Sequence, residues 1–184
     1  MPLPVKYTAA LIPLAEAFSR YEKETGHMAV LVGGAAAAIH TDGAFMSADF
    51  DIVASNDEAF ARAMAASGFI EDDKALHGLT GWYHADHPAL SAEQVSGRYF
   101  DGRADKFRCL RLVLRDDAVL VLPAIEDLIA DRLGQHEISQ GNSLMLEQAK
   151  ALYTIACGLD LDYLNQRIIE ETGNPALIGL SRPS

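Results

Sequence analysis

Apolar residues recur along the first third of the chain at spacings that predict alternating helices and strands. In residues 7–21 they fall at helical spacing, and Gly26 follows as a natural helix stop. Residues 28–32 form a short apolar run that ends in Gly33–Gly34, and the alanine-rich segment after this pair favours a helix. Residues 50–53 form a second apolar run. The pattern predicts helix, strand, glycine turn, helix and strand, in this order.

The remaining two thirds of the chain predict more strands and a helical end. Helices are expected at about 56–66, 125–135, 144–156 and 161–171. Four apolar runs are interpreted as additional strands of the same sheet: Gly81–His84, Leu90–Val95, Phe107–Leu114 and Ala118–Leu122. The chain is therefore predicted to be an α+β protein with one sheet flanked by helices.

Composition narrows the class of protein. The chain has 184 residues, of which 49% are hydrophobic and 22% charged, as in an ordinary globular domain. No apolar run is long enough to cross a bilayer, and two isolated cysteines form no disulfide or zinc pattern. We therefore expect a cytoplasmic protein without membrane contact.

Charge restricts the partners that the protein can bind. The formal net charge is −11, which opposes broad binding to nucleic acid. However, six of the 15 basic residues fall within 18 positions: Arg98, Arg103, Lys106, Arg108, Arg111 and Arg115. We call these six residues the basic stretch. It is interpreted either as a solvated edge strand or as a local patch for a polyanionic acceptor.

Two aspartates on the second predicted strand carry the first sign of chemistry. Asp49 and Asp51 are two positions apart, so their side chains point to the same face of a strand, with Phe50 on the other. Two neighbouring carboxylates repel each other unless a cation neutralises them. Carboxylate oxygens suit Mg²⁺, which keeps waters and is completed by substrate phosphates. The pair predicts phosphoryl-group chemistry.

The glycine pair supplies a second element of such a site. Gly33–Gly34 lies between a predicted strand and a helix, where glycine lets a phosphate approach the backbone and the helix N-terminus favours an anion. The segment is not a dinucleotide fingerprint or a P-loop, since neither motif's spacing is present. A small-residue helix packed on a sheet, beside solvated aspartates, is the structural alternative.

The order of these motifs resembles the nucleotidyltransferase superfamily that shares the polymerase-beta-like palm. That pattern is an apolar strand, Gly-Gly or Gly-Ser, a helix, and Thr/Ser-x-Asp-x-Asp, found here as Gly33-Gly34 and Ser47-Ala48-Asp49-Phe50-Asp51. Residues 122–127, 131–133 and 146–149 look like a small, toxin-type bacterial branch of the abortive-infection class. The resemblance covers about residues 30–164. It implies a nucleotidyltransferase-like mixed sheet in a palm of residues 1–122, with residues 123–184 as a helical portion packed on the same domain.

The resemblance also implies roles for individual residues. Asp49, Asp51 and a third carboxylate would hold one or two Mg²⁺ ions, or Mn²⁺, against the triphosphate of an NTP. Glu93 is our choice for the third carboxylate and for the proton acceptor, because residues 92–97 resemble the acidic strand of the branch. The competing carboxylates are Asp101, Asp116 and Asp117.

Phosphate binding is expected from neighbouring positions. Gly33–Gly34 and Ser47 would hold phosphate oxygens in the implied site. Arg132 either contacts a phosphate from the cleft or pairs with a neighbouring acid, Asp131 or Glu126.

The function implied by the resemblance is Mg²⁺-dependent transfer of a nucleoside monophosphate from an NTP to an acceptor. A toxin-like module would modify RNA, including tRNA ends, or a protein, and would have an antitoxin as a further partner. The alternative is a catalytically degenerate palm that binds a nucleotide or a protein partner without transfer.

Overall fold

A computed structural model of the protein describes residues 3–72, 80–140 and 143–181. The helices are α1 (Val5–Thr25), α2 (Gly33–His40), α3 (Asp57–Ala66), α4 (Ile125–Ile138), α5 (Ser143–Ile155) and α6 (Leu161–Glu170). The strands are β1 (Val30–Val32), β2 (Asp49–Val53), β3 (Phe69–Asp72), β4 (Thr80–His84), β5 (Ser91–Ser96), β6 (Leu110–Arg115) and β7 (Ala118–Leu122). None of the helices in these ranges is both long and apolar enough to cross a membrane.

Five of the strands form one mixed sheet in the order β1-β2-β5-β4-β3. The β2–β5 pair is parallel and the other pairs are antiparallel. In the β2–β5 register, Asp49 is opposite Ser91 and Asp51 is opposite Glu93. Since paired residues of neighbouring strands point to the same face, these four side chains share one side of the sheet. The predicted α+β class with a mixed sheet is confirmed.

The prediction that all strands belong to one sheet is wrong. β6 and β7 pair with each other as a separate two-stranded hairpin, and β7 packs against α1 and β1. Apolar alternation identifies a strand but does not specify its hydrogen-bonding neighbour. Strand β3 was not predicted, because only Phe69 of its four residues is buried and the other three are exposed.

Helix α1 follows the apolar spacing of the sequence and ends at the expected glycine. Gly26 takes a left-handed conformation with φ 71°, which terminates the helix. The buried face includes Tyr21, whose hydroxyl accepts hydrogen bonds of 3.1 Å from the backbone N–H groups of both Ser55 and Asn56. Asn56 in turn caps α3 by accepting from Ala59 N at 3.0 Å. These contacts hold the end of β2 against α1.

A buried ion pair joins two of the three C-terminal helices, α4 and α6. Arg167 Nε of α6 donates to Asp127 Oδ1 of α4 at 2.7 Å, and both side chains are inaccessible to solvent. Helix α4 also packs against α2 and α5. The division into a palm of residues 1–122 and a helical portion of residues 123–184 stays a prediction.

Candidate active site

Asp49 and Asp51 lie on the face of β2 that looks away from the hydrophobic core. Phe50 and Ile52, the alternate residues, are fully buried on the opposite face. Asp49 is exposed and Asp51 is partly buried. Because side chains alternate along a strand, packing Phe50 and Ile52 inward directs both carboxylates into the same cleft.

The diglycine turn approaches Asp51 so closely that it leaves no space for a side chain. Gly33 begins α2 with φ 68°, and a Cβ at this position would lie 2.0 Å from Asp51 Oδ2. At Gly34, a Cβ would lie 3.1 Å from the side chain of Ser47. The turn therefore needs glycine at position 33 both for its backbone conformation and for the neighbouring carboxylate.

Asp49 is oriented by two serines. Ser91 Oγ of β5 donates to Asp49 Oδ1 at 2.5 Å. Ser47 Oγ donates to the backbone carbonyl of Asp49 at 3.2 Å, and thus lies between Asp49 and the diglycine turn. Ser91 was not identified from the sequence. It becomes recognisable only when the parallel register of β2 and β5 is known.

Asp51 lies in an environment that disfavours its ionised form. The pKa of Asp51 is raised to about 6, mainly by burial and in smaller part by the negative charges of Asp49, Glu93 and Asp131. Arg132 acts in the opposite direction. Positive charge supplied by a ligand would relieve this repulsion.

Glu93 lies opposite Asp51 on the neighbouring strand and is partly buried. Its side chain is on the same sheet face as the aspartates, and its charge acts on the pKa of Asp51. Nevertheless, within the described ranges no group of three or more Asp, Glu, His or Cys side chains converges to hold a metal. The role of Glu93 as a third ligand stays a prediction.

The other carboxylates considered from the sequence are separated by the fold. Asp101 lines the same cleft as Asp49 and Asp51. Asp116 and Asp117 instead lie in the β6–β7 turn, beside a groove against α1. Asp131 of α4, which sequence reasoning considered only as a partner of Arg132, also lines the cleft. It is the additional acidic residue that tertiary packing brings near Asp51.

Arg132 both pairs with its neighbour and faces the cleft. The side chain of Arg132 is 3% exposed and its Nε donates to Asp131 Oδ2 at 2.9 Å. Its Nη1 lies 3.5 Å from Gln148 Oε1 of α5. The guanidinium thus lines the cleft and lowers the pKa of Asp51 while it is held by an acid. The two roles considered from the sequence are compatible in this geometry.

These residues surround a cleft of about 560 Å³. Its volume suits a nucleotide-sized ligand. The first wall is formed by the β1–α2 turn and β2, and the second by α4 and the beginning of α5. A loop after β5, residues 98–103, closes one end.

The donor set of the cleft fits a hard divalent cation. Asp49 and Asp51 supply carboxylate oxygens from one strand, in a region where negative charge is not neutralised. Mg²⁺ is typically bound by one or two protein carboxylates and completed by waters and substrate phosphates. Two aspartates beside a backbone turn that can accept a phosphate match this requirement.

The basic stretch does not form one continuous cationic surface. Arg111 and Arg115 pair with Glu22 and Glu16 of α1, and Arg108 pairs with Asp160. Arg98 and Arg103 line the cleft. The stretch is therefore divided between internal ion pairs and one end of the cleft.

The fold is similar to that of solved nucleotidyltransferase-like proteins. No protein-family model matches the sequence. Among solved structures, the chain is similar to an antigenic nucleotidyltransferase-like protein from Paracoccidioides brasiliensis, with a TM-score of 0.60, 12% identity, and coverage of 92% of this chain and 89% of the other. It is also similar to the antibiotic-resistance factor ANT(2'')-Ia, with a TM-score of 0.53, 13% identity, and coverage of 89% and 91%. At these identities the likeness establishes the fold. The toxin-type branch stays a prediction.

Proposed function

We propose that the protein transfers a nucleoside monophosphate from an NTP to a hydroxyl-bearing acceptor. The observation that carries this proposal is the position of Asp49 and Asp51 in one cleft, directly against the Gly33–Gly34 turn. This arrangement combines the carboxylates that a cation needs with a backbone turn that accepts phosphate. The nucleotidyltransferase-like fold supports it.

The residues around the turn would bind the triphosphate. The N–H groups at the start of α2 and the Ser47 hydroxyl are the donors available to phosphate oxygens. Arg132 adds positive charge from the opposite wall. Asp49 and Asp51 would hold Mg²⁺, or Mn²⁺, and Ser91 keeps one Asp49 oxygen in place. When bound, the ion neutralises charge on the phosphates and on the leaving pyrophosphate.

The chemical step is a displacement at the α-phosphorus. The acceptor oxygen forms a bond to this phosphorus while the bond to the bridging α–β oxygen breaks, and pyrophosphate leaves. The hydroxyl proton passes to a carboxylate, for which we propose Glu93 because it lies beside Asp51 on the cleft-facing side of the sheet. Catalysis would depend mainly on positioning and charge.

The test is transfer of label from α-phosphate-labelled NTPs, with Mg²⁺, to total RNA and to lysate protein. We expect labelled product from the natural protein and none from Asp49→Ala or Asp51→Ala. Asp117→Ala is the matched control, because this aspartate lies in the β6–β7 turn, and it should retain transfer. Transfer that persists in both β2 variants would exclude the proposed site. The RNA and protein fractions separate the two acceptors expected of a toxin-like module, and co-purification tests for an antitoxin.

A second proposal is a degenerate palm that binds nucleotide without transferring it. Glu93, the carboxylate proposed as third ligand and proton acceptor, is not among the described residues that line the cleft, which favours this alternative. It predicts that an NTP with Mg²⁺ raises the melting temperature of the protein, while no label is transferred to the RNA fraction or to the protein fraction. Any label that depends on Asp51 would exclude the degenerate palm.

A further inference from the structure

The cleft continues past the aspartates along β2. Side chains on one face of a strand are separated by about 6.6 Å, so Val53 lies roughly that far beyond Asp51 and twice as far beyond Asp49. Val53 pairs with Ser96 of β5, and both line the cleft. Two residues later the chain reaches Arg98. The diglycine turn and Ser47 are on the Asp49–Asp51 side, so the cleft has two ends of different composition.

The end beyond Val53 carries two guanidinium groups. Arg98 and Arg103 both line it. Arg98 is exposed and has no ion pair with any residue in the three described ranges. Arg103 is shared between Asp101 at 2.9 Å and Glu171 at 3.5 Å, and its side chain remains 39% exposed. Among the residues that the structure describes, Arg98 is therefore the cation at this end whose guanidinium has no hydrogen-bond or ion-pair partner.

The loop that presents the two arginines is held in an unusual backbone shape. Phe100 and Asp101 have φ values of 41° and 54°, and such left-handed non-glycine residues persist only when their surroundings impose them. Tyr99 anchors the loop by donating its hydroxyl to the buried Asp127 Oδ2 at 3.1 Å. Arg103 Nη1 anchors its other side by donating to the Glu170 carbonyl. The loop is thus preorganised.

The geometry of an in-line displacement indicates which ligand would bind at the Arg98 end of the cleft. In an in-line displacement the acceptor approaches from the side opposite the leaving pyrophosphate. This inference rests on the proposed function, in which the phosphates of the NTP occupy the diglycine end of the cleft. With the phosphates there, the acceptor enters the cleft beside Val53. We propose that Arg98, assisted by Arg103, binds an anionic group of the acceptor, and that the acceptor is a small phosphate-bearing molecule with a free hydroxyl.

The charge distribution favours a small acceptor over a nucleic-acid chain. The protein has a net charge of −11, and Arg108, Arg111 and Arg115 of the basic stretch are neutralised by acidic partners. A long polyanion would need a continuous cationic path, whereas a single phosphate needs only one or two guanidinium groups.

Phosphate binding tests the anion site without requiring turnover. The protein is saturated with Mg²⁺ and a non-hydrolysable NTP, which occupies the diglycine end, and is then titrated with inorganic phosphate by calorimetry. Loss of a charge-assisted hydrogen bond should weaken phosphate binding about tenfold in Arg98→Gln. Arg111→Gln is the matched control, since its guanidinium pairs with Glu22 at 2.6 Å outside the cleft, and it should bind as the natural protein does. Equal affinity in the two variants would overturn the proposal. Arg103→Lys, which keeps the charge, should lie between them.

An acceptor assay separates this inference from the proposed function. Labelled NTP is offered with glycerol 3-phosphate, ribose 5-phosphate or a short RNA. Transfer to a phosphate ester, with a KM for that ester raised in Arg98→Gln and an unchanged KM for NTP, supports the inference. Transfer to RNA alone would overturn it while leaving nucleotidyl transfer intact. Conversely, Arg98-dependent phosphate binding in a protein that fails to bind the NTP would contradict the proposed function and retain the anion site.

Discussion

Replacing Gly33 by alanine tests the geometric basis of the site with a single methyl group. The new Cβ would lie 2.0 Å from Asp51 Oδ2, 3.0 Å from Asp51 Cγ and 3.1 Å from Asp51 Cβ. Rotation of the carboxylate alone cannot relieve these contacts, because the stem of the side chain is also too close. Asp51 or the diglycine turn must therefore move by about 1 Å to restore normal contact distances.

Two effects contribute to the cost of Gly33→Ala. Forcing alanine into a left-handed conformation costs about 1–2 kcal/mol, and overpacking costs a further 1–3 kcal/mol. The substitution should therefore lower the free energy of unfolding by about 2–5 kcal/mol. A displacement of about 1 Å in a reacting geometry can reduce the rate by roughly 10²-fold. We expect a larger loss of transfer and nucleotide binding than the loss of stability alone would cause.

Gly26→Ala separates conformational strain from the steric clash. Gly26 also has a left-handed φ of 71°, but a Cβ there meets nothing within 4 Å. It should lose about 1–2 kcal/mol of stability and keep its nucleotide affinity. Urea denaturation measures the stability of each variant, and calorimetry with Mg²⁺ and a non-hydrolysable NTP measures its binding.

Normal binding and transfer by folded Gly33→Ala would refute the reasoning. That result would mean that Asp51 and the turn do not act on the same ligand. Equal losses of the free energy of unfolding in the two glycine variants would show that the close approach of the new Cβ to Asp51 does not destabilise the fold.

Two further predictions concern buried charge. Because burial and like charges raise the pKa of Asp51 from 3.8 to about 6, its ionisation disfavours the folded state, and this term decreases stability as the pH rises through 6. In metal-free buffer, Asp51→Asn should therefore be more stable than the natural protein by up to about 3 kcal/mol near pH 8, and the difference should vanish below about pH 4. Urea denaturation at several pH values measures this difference, and a difference that does not change with pH would contradict the prediction. Asp127→Asn should lose up to about 3–5 kcal/mol, since it removes the fully buried member of the three carboxylates that pair with the guanidinium of Arg167 and leaves only the more exposed Glu170 and Glu171. Glu22→Gln, in a partly exposed pair with Arg111, should lose less than about 1 kcal/mol, and comparable losses in the two variants would argue against a special role for the buried pair.

Several elements of the fold could be predicted because their signals are local. The end of α1 at Gly26 and the start of α3 near residue 56 depend on residues within a few positions of the helix end. Pairing between distant strands has no comparable local signal. For this reason the sequence does not distinguish the β6–β7 hairpin from strands of the main sheet, and β3 has no recognisable pattern because it buries a single side chain.

In the candidate active site, too, features that depend on neighbouring residues could be predicted, and features that depend on residues far apart in the chain could not. The shared face of Asp49 and Asp51 follows from a separation of two residues within a strand, and a turn at Gly33–Gly34 follows from glycine between a strand and a helix. Ser91 and Arg98 are far from these residues in the chain: the parallel β2–β5 register places Ser91 against Asp49, and Arg98 reaches the cleft in the loop that follows β5. Asp131 arrives there on α4 through helix packing.

The sequence by itself determined the α+β class, and it determined that a diglycine turn precedes a strand with two aspartates on one face. Both follow from the sequence because hydrophobic periodicity and the conformational freedom of glycine act over a few residues. Only the tertiary structure decided that the Gly33 position and Asp51 leave no room for a methyl group. It also decided that three of the six residues of the basic stretch pair with distant acids, and that Arg98 lies at the opposite end of the cleft. The physical reason is that electrostatic and steric contacts depend on distance in space. Residues that are far apart in the chain come close to each other only when the helices and strands pack.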